Sequence, residues 1–264
     1  MHTWRATIAR RSSGLKILAL DIETAPNTAH VWGLFKQNIG LNQIIETGRV
    51  MCFSAKWLDQ KPQVFVSEHR DGHQRTITSA HVLLDEADAV LSFNGESFDL
   101  PTLNREFLKY GMAPPSPYRH IDLLRVAKRR FRFTSNKMDH LATELGIKGK
   151  YKHSGHELWV NCMNGDAKAW KEMEKYNRQD VVVLEALYHK LLPWIDTHPN
   201  FAFYVEGDDP VCTNCGSEDI QSRGVQHNKT LSYKRFQCND CGTWLRARFP
   251  EKQNRGRVLT QIGG

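Results

Sequence analysis

Two acids sit one residue apart at the end of an otherwise apolar run, Asp21 and Glu23 in KILALDIETAP (Lys16–Pro26). In an extended strand residues i and i+2 face the same side, so the two carboxylates project together while Leu18, Leu20 and Ile22 cover the other face. Burying an ionised carboxylate is costly unless something cationic meets it. Two that point the same way suit a hard divalent cation, which prefers oxygen ligands. A plainer use is open as well, because an Asp and a Glu at a strand end can cap the loop Thr24–Asn27. Two further acidic stretches bear on the choice. In SFNGESFDLPTL (Ser92–Leu103), Asp99 stands near the start of a helix, Asn94 and Gly95 suit the bend before it, and Glu96 is a nearby alternative acid. Helix capping competes for Asp99, with Pro101 following. In EKYNRQDVVVLEAL (Glu174–Leu187), Tyr176 and Asp180 are four apart and share one helix face, which Val181–Val183 sets at the core margin. The alternative there is a Tyr and an Asp on a surface helix.

In this order and spacing, DIET, N-x-x-x-F-D-L-P and Y-x-x-x-D resemble the three exonuclease motifs of the DEDD superfamily, in its tyrosine-bearing branch (DEDDy). The likeness is greatest to the proofreading domain of family B DNA polymerases and its stand-alone relatives, and it covers Lys16–Trp194. Lys175 stands five residues before Asp180, where a His would mark the other branch. The resemblance implies an RNase H-like domain that removes nucleotides from a DNA end in the 3′-to-5′ direction with Mg²⁺ or Mn²⁺. It implies two ions about 4 Å apart that activate a water and stabilise the attacking and leaving oxygens. Asp21 would bridge both ions, Glu23 and Asp180 would complete one, and Asp99 would act on the other through bound water. Tyr176 would orient the nucleophilic water, since a phenol of pKa about 10 is a poor base at neutral pH. On the same motif, Asn94 and Phe98 would touch the nucleic acid. Residue types alone support metal-dependent phosphodiester hydrolysis and carry no polarity.

Four cysteines form a second set. Cys212, Cys215, Cys238 and Cys241 follow C-x₂-C-x₂₂-C-x₂-C, and each second cysteine precedes a glycine, which lets the backbone turn tightly toward the sulfurs. Four thiolates suit one tetrahedral, structural Zn²⁺, and without a secretory signal a metal site is favoured over disulfides. The pattern resembles the zinc ribbons of insertion-sequence transposition proteins. A module this small has too little core to fold alone, so metal binding and folding would be one event. Arg235, Arg246 and Arg248 interleave with Tyr233, Phe236, Trp244 and Phe249, a combination suited to gripping DNA. Competing uses are an aromatic core private to the ribbon, or docking on a protein. Cys52 and Cys162 read as ordinary buried thiols.

The elements that must hold these residues follow from periodicity. Ile17–Ile22, Arg49–Trp57, Gln63–Ser67 and Ala89–Phe93 read as strands, with Asp59–Pro62 a turn. Thr76–Ala87, Leu100–Tyr110, Ile121–Phe131 and Ser135–Leu145 read as helices, the last with Ser135 as N-cap and Gly146 as stop. Lys148–His156 reads as a loop, and Asp166–Leu192 as the longest helix, with room for a break. This order of elements suggests an α/β fold, an RNase H-like mixed sheet flanked by helices. Beyond the boundary Gly207–Pro210, a strand-poor module carries strand patterns only at Leu231–Gln237 and Thr243–Phe249. The expected domains are a basic flexible N-terminus (1–15), the exonuclease domain (16–206), the zinc ribbon (207–250) and a basic tail (251–264).

Charge is distributed unevenly. The formal net charge is +7, and from Gln221 to Gly264 nine Lys/Arg residues face only Asp240 and Glu251, so this end carries the whole excess. Such asymmetry points to a polyanionic partner. Lys137, Lys148, Lys150 and the run Lys128-Arg129-Arg130-Phe131-Arg132 either line a strand channel or form a solvated helix end. No apolar run approaches bilayer length, and MHTWRATIARRSSG lacks a signal-peptide core, leaving a basic tail or a short transit peptide. The combined expectation is a cytoplasmic exonuclease, prokaryotic or viral in a host cell. It would take two Mg²⁺ or Mn²⁺ and one Zn²⁺ and act on a single strand or 3′ end of DNA. A replication or repair polymerase would be a partner in trans, and no membrane is involved. Alternatives on the same fold are a vestigial nuclease serving as a DNA-binding or assembly protein, and an RNA-processing or structure-specific nuclease.

Overall fold

A computed structural model describes residues 14–149, 151, 153–251 and 258–259. The basic N-terminal residues 1–13, Lys150 and most of the basic tail beyond Glu251 lie outside the described residues. Lys16–His198 forms one compact unit, and the chain from Pro199 onward belongs to a second. This division falls ahead of Gly207–Pro210.

The first unit runs β1 (Ile17–Thr24), β2 (Thr28–Ala29), β3 (Ile44–Glu46), β4 (Val50–Trp57), β5 (Gln63–Ser67), α1 (Glu68–Asp71), α2 (His73–Glu86), β6 (Ala89–Ser92) and α3 (Asp99–Lys109). It continues with β7 (Arg119–Asp122), α4 (Leu123–Arg130), α5 (Met138–Glu144), α6 (His156–Met163) and α7 (Ala167–Leu191). Five strands form a mixed sheet in the order β5-β4-β1-β6-β7. Its centre, β1, pairs antiparallel with β4 and parallel with β6, and β6 pairs parallel with β7. A strand flanked on both edges and covered on both faces must be apolar almost throughout, and Ile17–Leu20 are fully buried.

Alternation divides β1 between two layers. Leu18, Leu20 and Ile22 pack with Ile77, Ala80 and Leu84 of α2 and with Leu100, Leu103 and Phe107 of α3. On the opposite face, Met51, Cys52 and Phe65 pack with Leu158 and Cys162 of α6 and with Trp170, Met173 and Tyr176 of α7. Each fully buried Leu or Ile contributes roughly 1.5–3 kcal/mol, which anchors β1 rigidly beneath the polar residues at its end. The β1–β4 register shifts between Glu23 and Thr24, an irregularity that bends the strand where its acids emerge.

Several sequence expectations need correction. Ile121 and Asp122 do not open a helix; they end the edge strand β7, and α4 starts at Leu123 with the Asp122 side chain as its cap. Ser135 is not an N-cap: α5 starts at Met138, and Ser135 Oγ instead accepts from Lys137 N in the preceding turn. The expected loop Lys148–His156 runs into an unanticipated helix, α6, which starts at His156. The 25-residue α7 is continuous, started by Asp166, whose carboxylate accepts from Lys168 N at 2.7 Å. The C-terminal module is not strand-poor. It holds a three-stranded antiparallel sheet of β8 (Ile220–His227), β9 (Ser232–Cys238) and β10 (Trp244–Arg246), in the order β10-β9-β8. Among the described residues, no helix is long and apolar enough to cross a membrane.

Candidate active site and four-cysteine cluster

Asp21 and Glu23 leave the α7 side of β1 together, and α7 meets them with Tyr176, Asn177 and Asp180. One carboxylate oxygen from each of Asp21, Glu23 and Asp180 lies within 4.8 Å of the others. Three hard oxygen donors converging on one point suit a hard divalent cation by donor chemistry. Asn177, fully buried, donates its amide to Asp21 Oδ2 at 2.7 Å and to the Asp21 carbonyl at 3.2 Å. It fixes the Asp21 side chain relative to its own backbone. Nothing in the sequence reading singled it out, although its i, i+3 spacing to Asp180 puts both on one helix face.

The Tyr176 hydroxyl hydrogen-bonds to Asp180. Burial, then the negative charges of Glu23, Asp180 and Asp21, push its phenol far above the ordinary range, so it stays protonated and serves as donor. His153 and Trp159 pack on the Tyr176 ring, with centroids 4.6 and 5.9 Å away. His153 comes from the stretch read from sequence as a loop, and Trp159 from the helix α6 that follows it.

Asp99 is held differently. It is the first residue of α3 rather than its cap, since Phe98 occupies the N-cap position and gives no side-chain bond. The β1–β6 pairing stops at Ala19–Leu91, which opens that edge of β1 further on, and Asp99 Oδ1 accepts from Ile22 N there at 3.1 Å. Burial pushes its carboxyl up to about 6; the bonds from backbone amides oppose the shift and Asp122 adds to it. Asp99 is not one of the three acids whose oxygens converge. The turn before it is tightly specified. Asn94 has a φ of 70°, and a Cβ on Gly95 would lie 2.4 Å from Ser92 Cβ and Oγ. Asp122, given no role in the sequence reading, braces this turn by accepting from Asn94 N at 2.9 Å and Glu96 N at 3.3 Å. Glu96 itself pairs with Arg125. The Phe98 ring is 45% exposed beside Asp99.

In the second unit, one Sγ from each of Cys212, Cys215, Cys238 and Cys241 lies within 4.8 Å of the rest. Cys212–Cys241 and Cys215–Cys238 sulfurs are 3.5 and 3.6 Å apart, close to the ~3.8 Å edge of a tetrahedron with Zn–S bonds of about 2.3 Å. Gly216 N and Gly242 N return to the carbonyls of Cys212 and Cys238 at 2.9 and 3.0 Å, both glycines at positive φ. These are the tight turns the C-x₂-C-G spacing requires, and the cluster is compatible with a zinc ribbon. Three arginines lie over aromatic rings: Arg246 over Tyr233 at 4.4 Å, Arg235 over Trp244 at 4.8 Å and Arg248 over Phe249 at 5.4 Å. Arg235 also donates Nε and Nη2 to the Arg223 carbonyl. Tyr233 is buried, whereas Trp244 and Phe249 are exposed, so the aromatics divide between the ribbon's core and its surface.

A third group, Asp59, Glu185 and His189, also brings ligand atoms within 4.8 Å. It is mostly exposed, and Glu185 is already bonded to Lys56 and Asp59 N.

A family model described as the RNase H superfamily matches residues 40–192, a span that takes in Asp99, Tyr176 and Asp180 and begins after β1. The chain belongs to this family. Among solved structures it is similar to the family B DNA polymerase of the hyperthermophilic archaeon Pyrobaculum calidifontis. That likeness has a TM-score of 0.53 and 18% identity, and covers 69% of this chain and 25% of the polymerase. The chain thus spans about a quarter of the polymerase's length, and the likeness is one of fold. No curated protein matches it. Together, the family and the site define a nuclease fold with clusters able to hold metal ions.

Proposed function

We propose that the protein is a metal-dependent 3′-to-5′ exonuclease that hydrolyses DNA, of the tyrosine-bearing DEDD kind, with a zinc ribbon that helps hold the nucleic acid. The observation that carries this reading is the convergence of Asp21, Glu23 and Asp180 with the Tyr176 hydroxyl bonded to Asp180. When bound, two Mg²⁺ or Mn²⁺ ions supply Lewis-acid stabilisation of the phosphate and a nucleophile at neutral pH. Asp21, Glu23 and Asp180 would hold these ions, and Asp99 would contribute from the β1–β6 edge. Asn177 keeps the Asp21 carboxylate aimed at the substrate. Tyr176 gives its proton to the bond with Asp180, which leaves its oxygen lone pairs to accept from the attacking water and orient it. Asn94 and the exposed ring of Phe98 contact the terminal nucleotide.

The exonuclease domain in this reading takes residues 16–206, the four-cysteine ribbon 207–250 and the basic tail 251–264. Guanidinium groups already held over rings lose little freedom on binding and offer N–H groups to phosphate, Arg235 only those not bonded to the Arg223 carbonyl. That supports Arg235, Arg246 and Arg248 as DNA contacts, with one Zn²⁺ holding the ribbon in shape. A replication or repair polymerase would be served in trans. The test gives purified protein 3′- and 5′-labelled DNA and RNA with Mg²⁺ or Mn²⁺, beside Asp21→Ala. Stepwise shortening of DNA from the 3′ end, lost in the variant, is expected. No cleavage with either metal, or equal cleavage by Asp21→Ala, would sink the reading. Cleavage confined to RNA, or internal cuts, would retain the chemistry and replace the substrate.

A further inference from the structure

A cleft of about 670 Å³ is lined by the edge strand β7 and helix α4, and by Glu96. Its walls carry Arg119, Arg125, Lys128, Arg129 and Arg130. The acids among them do not balance this charge. Asp122 uses its oxygens on the backbone amides of Asn94, Glu96 and Leu124. Glu96 answers Arg125. Asp196 takes both Arg129 and Arg130 on a single oxygen, at 2.9 and 2.8 Å, so one carboxylate faces two guanidinium groups. Among the described residues, neither Arg119 nor Lys128 pairs with a carboxylate, and both are exposed. Beside these cations the exposed His120 ring lies on Tyr118, with centroids 5.2 Å apart and planes inclined by 24°. Cations next to a flat ring surface are what a single-stranded polynucleotide requires, because its phosphates and bases alternate along the chain.

The position of the cleft fits the same ligand. Glu96 forms part of its wall, and three residues later Asp99 bonds to β1 between the two acids of DIET. The turn Asn94–Phe98 therefore joins the cleft wall to the Asp99 position, and a strand crossing this turn would reach both. We propose that the β7–α4 cleft binds the sugar–phosphate backbone of a single-stranded polynucleotide, several nucleotides away from the end being cleaved. This rests on the nuclease reading given above.

Binding is measured by fluorescence anisotropy on the full chain in EDTA, so that no cleavage intervenes. The probes are dye-labelled deoxyribo- and ribo-oligonucleotides of about 4 and about 16 nucleotides, a range that brackets common single-strand site sizes. With the double variant Arg119→Gln/Lys128→Gln, the slope of log K against log salt for the longer strand should fall by about 1.4, two phosphate contacts at about 0.7 each. Most of the affinity gained with length should also vanish. Asp196→Asn should instead tighten binding, because it releases two guanidinium groups, and a variant that merely damaged the fold would not do so. Whichever sugar shows these effects identifies the strand. An unchanged slope and length dependence in the double variant, or weaker binding in Asp196→Asn, overturns the proposal. Equal weakening of poly-glutamate binding would mark a general anion site and overturn it too. Because no cleavage is read, such a failure leaves the exonuclease reading intact. Cleft-dependent binding by a chain that never cleaves would remove that reading and keep this one.

Discussion

Replacing Asp180 by asparagine separates the electrostatic strain of the carboxylate cluster from its use. Three carboxylate oxygens lie within 4.8 Å of one another. At that separation and an effective dielectric near 20, each like-charged pair repels by about 3 kcal/mol. Asp180 takes part in two such pairs, and screening at the half-exposed Asp21 and Glu23 reduces the combined effect to about 2 kcal/mol. Asparagine keeps the size of Asp180 and can still accept from the Tyr176 hydroxyl. In EDTA, Asp180→Asn should therefore melt above the wild type, by about 4–8 °C for a unit of this size. Divalent metal reverses the order. At a hundred times its Kd, a metal ion stabilises the wild type by about 2.7 kcal/mol, and the variant lacks the ligand to gain as much. The assay is a pair of thermal melts for each protein, with EDTA and with excess Mg²⁺ or Mn²⁺, alongside nuclease activity. A variant that melts lower in EDTA, or that gains as much from the metal as the wild type, would refute the reasoning.

Other expectations concern what aims these acids. Asn177→Ala removes one bond to a carboxylate and one to a carbonyl, so the melt should report a loss of about 2–4 kcal/mol. A misaimed Asp21 should lower kcat roughly 10- to 100-fold with a smaller change in KM. Gly95→Ala places a Cβ against Ser92 and should cost about 1–3 kcal/mol while lowering activity through Asp99; Ser92→Gly in the same chain should restore both in activity assays and melts. Stripping zinc with a chelator, or Cys238→Ser, should abolish the β8–β10 sheet, read by circular dichroism, and reduce the salt dependence of DNA binding. Unchanged spectra would exclude a structural metal there.

What the sequence made legible was local. The apolar run ending in Asp21 and Glu23 could only be a central strand, and its alternation sorted Leu18, Leu20 and Ile22 from the two acids. The four-residue spacing of Tyr176 and Asp180 put them on one face of α7, and the glycines after Cys215 and Cys241 announced the turns of the cysteine cluster. What stayed hidden depends on partners in other elements. The strand β7 is four residues long and exists by pairing with β6, so the amphipathic run that follows it drew Ile121 and Asp122 into a helix. In α6, Leu158 and Cys162 are apolar because α7 and the sheet cover them, which the polar flanks concealed. The strand β8 is exposed along nearly its whole length and carries no apolar alternation, only a partner in β9. Asn177 bonds to the carboxylate and carbonyl of Asp21, and Asp122 to the backbone of Asn94 and Glu96; a side chain's distant hydrogen-bond partner leaves no mark in its own local pattern.

The central claim is that Asp21, Glu23 and Asp180, with Asp99 beside them, hold catalytic divalent metal. Anomalous diffraction from crystals grown with Mn²⁺ and a nucleoside monophosphate tests it most directly. Two manganese peaks are expected against Asp21, one of them also reached by Glu23 and Asp180. Manganese found only at Asp59, Glu185 and His189, with none at the β1 carboxylates, would contradict the account.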